Sequence, residues 1–152
     1  MKKFEFTGET KTISLFFRTA TLHRIRAIAE FGLVKIGDLG GWIEKEENLS
    51  HEGKAWVWGN AEVWGNAEVF SASHVLVIGA IGSRDDFTTF FRDKDNEITV
   101  KCGCFLGKID KFLEKVTQTH GDSKYALVYR AAVEVARLQI DLSGEAQKDA
   151  DE

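Results

Sequence analysis

The residues of this chain best suited to chemistry are two thiols, four imidazoles and a few arginines that stand close together in sequence. Cys102 and Cys104 flank one glycine, and with His120 they make the beginning of a metal-site composition. Structural zinc takes four ligands, and its paired cysteines usually have about two to four residues between them, so this spacing favours two small strand residues and a helix-terminal histidine. No metal or other cofactor is expected. His51 and His74 are the positions where a general base could be placed, yet no supporting acid follows at a recognisable spacing. No Ser-His-Asp order, phosphate-loop pattern or dinucleotide fingerprint is present, so no catalytic residue is assigned and a protein without enzymatic activity is expected.

The remaining chemistry is anion recognition. In the run LHRIRAI, residues 22–28, Arg24 and Arg26 alternate with His23, Ile25 and Ala27, so a strand would project both arginines from one face. They are either solvated or part of an anion site that Lys35 would extend. Arg84 in GSRDD could hold a phosphate or carboxylate, or could pair with Asp85 or Asp86. Trp42, Trp58 and Trp64 could stack on a ligand's ring. Together Arg24, Arg26, Lys35, Trp42, Trp58, Trp64 and Arg84 form the candidate binding set for a small anionic ligand.

The elements that would carry these residues follow from a repeat. The hexamer W-G-N-A-E-V occurs twice in tandem at 58–63 and 64–69. At a period of six, Val57, Val63, Val69, Val75 and Ile81 share one column and Ala55, Ala61, Ala67, Ser73 and Gly79 another. A β-branched residue every sixth position, with small residues at fixed offset, predicts a left-handed β-helix whose valines fill the interior. Gly59-Asn60 and Gly65-Asn66 are then corners. Trp58, Trp64, Phe70 and Leu76 would point outward as an apolar strip, covered by the same chain or by another subunit. Enzymes built on such helices are commonly acyltransferases, which would use His51 or His74, but this array is far shorter than theirs.

The flanks divide as follows. Residues 1–36 read as an N-terminal β segment, with runs at Phe4 and Phe6, at 13–17 and at 22–28, and 37–83 as the short β-helix. Residues 84–142 read as an α+β lobe, in which strands at 87–92 and 98–104 form a hairpin through DKDN. Two helices follow: the first uses Ile109, Phe112, Leu113 and Val116 and stops at Gly121, and the second, capped by Asp122, presents Tyr125, Val128, Ala132, Val135 and Leu138. The acidic tail 143–152 reads as disordered. The expected fold class is therefore mainly β, with a short left-handed β-helix followed by a β-hairpin and two α-helices.

Composition sets outer limits. With 152 residues, 20 Lys and Arg against 24 Asp and Glu, and a net charge of −4, broad nucleic-acid binding is disfavoured. No apolar run is long enough for a membrane span, and the start MKKFEFTGET has no long apolar region behind its lysines, so a cytoplasmic protein with reduced thiols is expected.

The run RIRAIAEFGLVKIGDLGGWIEKEENLSHEGKAWVWGNAEVWGNAEVF resembles a group of phage- and prophage-encoded proteins with a GDLGGWIE signature followed by G-N-A-x-V repeats. IGSRDDFTTFF, KCGCFLGKIDKF and THG are similar to the C-terminal part of some members. The resemblance implies a homo-oligomeric phage accessory protein, trimeric by preference, in the cytoplasm of an infected bacterium. A counter-defence role by analogy with phage biology, sequestering a nucleotide signal of host immunity, fits the arginines and tryptophans. A protein-binding inhibitor or virion module is the alternative, and an acyltransferase-like protein the second.

Overall fold

The computed structural model describes residues 1–15 and 17–143, so the tail beyond Ser143 and Phe16 of the 13–17 run lie outside it. It contains two four-stranded sheets and two helices. The first sheet has the order β1 (Phe4–Ser14), β2 (Thr19–Ala27), β3 (Leu39–Ile43) and β4 (Glu62–Val63). β1, β2 and β3 pair antiparallel, whereas β3 and β4 run parallel. The second sheet is an antiparallel meander of β5 (Val75–Ile81), β6 (Asp86–Arg92), β7 (Ile98–Cys102) and β8 (Phe105–Lys108). α1 (Ile109–His120) and α2 (Lys124–Gln139) complete the chain.

The left-handed β-helix is not formed, and this corrects the expected fold class. Among the described residues its defining parallel pairing is confined to Trp42↔Glu62, Ile43↔Val63 and a single bridge between Leu49 and Val69. The hexamers do what their valines and alanines demand, since Val57, Val63, Val69, Ala55, Ala61 and Ala67 are all buried in one core. Gly59-Asn60 and Gly65-Asn66 form turns closed by amide bonds from Ala61 to Trp58 (2.8 Å) and from Ala67 to Trp64 (3.1 Å). The array fails to continue because Val75 meets a better partner. β5 zips against β6 from Val75↔Phe91 to Ile78↔Thr88, and an antiparallel ladder of that length outweighs another six-residue side.

The outward strip is corrected too. Trp64 is buried, whereas Trp58 is half exposed, although both occupy the same place in the hexamer. The second sheet makes the difference: Glu68 N–H donates to Arg92 O (3.1 Å), Lys94 N–H to Asn66 O (3.2 Å), and Ala67 bridges to Asp93. These contacts close over the second hexamer and leave the first in water.

The hairpin of β6 and β7 turns at 93–96, as DKDN requires, with Asp93 N–H bonded to Glu97 O at 2.9 Å. β6 lies between two cores, sending Phe91 into that of the first sheet and Phe90 into that beneath the helices. α1 buries Ile109, Phe112 and Val116 and ends at Gly121, whose positive φ of 56° is one that glycine adopts readily and other residues rarely do. α2 starts after Ser123, not Asp122, and buries Ala126, Tyr129, Ala132, Val133 and Ala136. Of the expected face only Ala132 is fully inside. Tyr125, Val135 and Leu138 are exposed, because the helix offers a second stripe of smaller side chains that fits closer to the sheet.

Candidate functional site

The described surface holds a cleft where three elements converge: the β5–β6 turn, the β7–β8 turn and the last turns of α1. Its cavity of about 290 Å³ has a floor of Phe105, Phe112 and Val116. Arg84, Lys115 and His120 stand around it, with the thiols of Cys102 and Cys104 on the same wall. A second cavity of about 390 Å³ lies on the other side of Arg84, Gly103 and Cys104, which line both. Its wall includes Lys11, Lys101 and Glu62.

Local structure explains each placement. Phe112, Lys115, Val116, Thr119 and His120 lie on one side of α1 by its three-to-four-residue period, so the apolar members reach the core while the polar ones rim the opening. Tyr129 comes from α2, and its ring lies 5.7 Å from that of His120 at 26°, a stacked arrangement. Its phenol is set against Gly82: a methyl group built there would lie 1.8 Å from the oxygen. Gly82 has φ of 82°, so backbone conformation and space both exclude a side chain.

The electrostatics separate free from engaged charges. Neither Arg84 nor Lys115 makes an ion pair with the described residues, and Arg84 is exposed at the turn. Burial pushes the Tyr129 phenol up to about 12, and the neighbouring Cys102 sulfur and Asp86 carboxylate act in the same direction. It is therefore a neutral hydroxyl across the ordinary range. Cys102 accepts a hydrogen bond from Thr88 Oγ1 at 3.4 Å, and Cys104 is exposed at the lip. On the second-cavity wall Glu62 is already held by Lys11 (2.6 Å) and Lys101 (3.2 Å).

The candidate set from the sequence is scattered by the fold. Arg26 is paired with Glu5. Arg24 donates to Gly40 O (3.3 Å), lies 3.7 Å from Glu9 and covers the ring of Trp42, which Lys11 also approaches at 4.4 Å. Lys35 sits 3.8 Å from Glu30, in the open. Trp64 is inside, under Arg18 and Lys101. Trp58 is at a separate turn, and of the set Arg84 alone lines the cleft.

The cleft does unite Arg84 with Cys102, Cys104 and His120, which the sequence separates into unrelated motifs. Among the described residues no group of three or more His, Cys, Asp or Glu is placed to hold a metal ion. Lys115 and Tyr129 went unrecognised. Their signal was helical phase, with Lys115 and His120 on the flank of the apolar stripe of α1. The two histidines considered for catalysis are structural: His51 bonds Glu46 at 2.9 Å, accepts from Lys3 N–H and stacks on Phe4, and the buried His74 accepts from Phe70 N–H at 3.1 Å. Among the described residues no helix is long and apolar enough to cross a membrane.

No family model and no curated protein matches this chain.

Proposed function

We propose that the protein binds and sequesters a small anionic ligand in the Arg84 cleft without transforming it. The observation that carries this reading is the placement of Arg84 and Lys115, neither with an ion pair among the described residues, beside His120 over an aromatic floor. Cations without partners favour an anion, and arginine favours the planar, forked acceptor of a phosphate or carboxylate. Phe105, Phe112 and the stacked His120–Tyr129 pair would receive a flat ring, so a nucleotide-like molecule is the concrete ligand class. Sequestration is preferred to turnover because His51 and His74 are both engaged in structural bonds. The resemblance to phage accessory proteins would make such a ligand a signal of host immunity.

The test is titration calorimetry and thermal shift of the purified chain with cyclic nucleotides and ADP-ribose-type compounds. Arg84→Ala and Lys115→Ala should each weaken binding by about 10- to 100-fold, the size of one charge-assisted hydrogen bond, with an unchanged melting temperature. Absence of any nucleotide binding, or binding indifferent to both substitutions, would remove the reading.

A further inference from the structure

The cleft has a second half that its anion site does not use. The two cavities meet at Arg84, Gly103 and Cys104, which line both. The ridge between them is bare at Gly103, where a β-carbon would meet no atom within 4 Å. Lys101 Nζ donates to the Gly103 carbonyl at 2.5 Å, so this ridge is a fixed part of the β7–β8 turn. At about 290 and 390 Å³, each cavity alone lies at the small end of ligand sites, which span roughly 300 to 1,000 Å³. Together they have room for a ligand that crosses the ridge, with Arg84 beside its middle.

The two halves differ in chemistry. The first has its aromatic floor and suits a ring. The second is walled mainly by polar side chains, and its two lysines are already engaged. Lys11 and Lys101 each hold one oxygen of Glu62, at 2.6 and 3.2 Å, and each also lies near an indole, that of Trp42 and of Trp64. What stays open there is neutral or acidic. The Asn60 amide has no hydrogen-bond partner among the described residues, the Ser14 hydroxyl accepts from Thr19 but keeps its own proton to donate, and Asp86 uses only Oδ1, for the Phe87 amide. An amide, a hydroxyl and a carboxylate oxygen together recognise hydroxyl groups. The one ring in this half, Phe87, already lies against Gly79. Asn60 is open because the first hexamer is uncovered, whereas the equivalent turn at Asn66 is tied to Lys94.

We propose that the ligand is a nucleoside diphosphate esterified to a sugar. Its base lies on the aromatic floor, its phosphates at Arg84 on the ridge, and its sugar hydroxyls against Asn60, Ser14 and Asp86. This narrows the anion-binding reading of the Arg84 cleft and rests on it. A nucleoside monophosphate would fill the first half alone. A further phosphate beyond the ridge would meet the Glu62 and Asp86 carboxylates with no free lysine to offset them.

Titration calorimetry of the full chain with AMP, ADP and ADP-glucose, and with the matching uridine compounds, tests this. The sugar compound should bind at least about tenfold more tightly than the diphosphate, the size of one to two added hydrogen bonds. Asn60→Ala should lower the affinity for the sugar compound about 3- to 10-fold and leave that for the monophosphate unchanged. Asn60 is exposed at a turn, so the melting temperature of this variant should hold. In amide NMR spectra the Asn60 side chain should shift with the sugar compound and not with the diphosphate. Equal affinity for the diphosphate and its sugar ester, a sugar advantage indifferent to Asn60→Ala, or an unmoved Asn60 amide would overturn the proposal and leave the Arg84 site standing. Failure of all six compounds to bind, or binding indifferent to Arg84→Ala, would remove the proposal and the anion-binding reading together.

Discussion

Two buried side chains make the structure pH-sensitive in opposite directions. Asp93 is fully buried, and burial opposes its ionisation. Hydrogen bonds from Lys108 (2.7 Å), Thr99 (2.7 Å) and the Asp95 and Glu97 amides outweigh that cost and hold the carboxyl below its ordinary value of 3.8. A depressed folded value means that the stabilisation is present above 3.8 and is lost as pH falls through the lower folded value. Denaturant melts of wild type and Asp93→Asn should show the variant about 3 kcal/mol less stable at neutral pH, with the gap closing in acid. Tyr129 behaves in reverse. With its phenol raised from 10.0 to about 12, its contribution is whole below 10 and disappears between 10 and 12. Its phenolate absorbance should accordingly rise late, and Tyr129→Phe should flatten the alkaline fall in stability. Gly82→Ala strikes the same residue sterically. It should cost about 2 kcal/mol in denaturant melts, by overpacking and a left-handed φ, and it should disturb the cleft floor without touching a charge.

Among the elements, α2 shows most clearly where sequence reading succeeds and where it stops. α1, the β6–β7 hairpin and the Gly121 stop were legible because each has one apolar pattern and one strong punctuation mark. α2 has apolar residues on two sides, and periodicity alone cannot say which side meets the core. The larger side chains suggested the wrong one. Val133→Ala should cost about 2 kcal/mol of stability and Leu138→Ala less than about 0.5, as measured by urea melts. Equal losses would mean that both stripes are buried in the monomer. The hexamers pose a similar limit. The inward valines were legible because they are a matter of local alternation, but whether another lap is added depends on competition from β6, a partner some fifteen residues away along the chain. The cleft was less legible still. Arg84 was identifiable by its turn, whereas Lys115 and Tyr129 join it only because two helices pack on one sheet.

For the whole molecule, the central fact is that two cores share one strand. Phe91 belongs to the first and Phe90 to the second, one residue apart on β6. Glu62 N–H donates to Thr89 Oγ1 at 2.9 Å, and Lys101 on β7 reaches the Glu62 carboxylate, so polar bonds fasten the same junction. Loss of either core would strip one side of β6. The chain should therefore melt in a single calorimetric transition, with van 't Hoff and calorimetric enthalpies equal, and Phe90→Ala and Phe91→Ala should each lower that one transition by about 3–5 kcal/mol. Two resolved transitions would show lobes that fold independently.

The clasp over the second hexamer also bears on how this gene can change. In an open-ended solenoid, gain or loss of one six-residue repeat only lengthens or shortens the stack. Here residues of the second copy itself are tied to β6 and its turn by Glu68–Arg92 and Asn66–Lys94 backbone bonds. A third copy would have to bulge out before that clasp, and loss of one would pull Ile43 and Val63 out of register. The repeat is thus an array frozen at two, in which length variation that other repeat proteins tolerate would be purged.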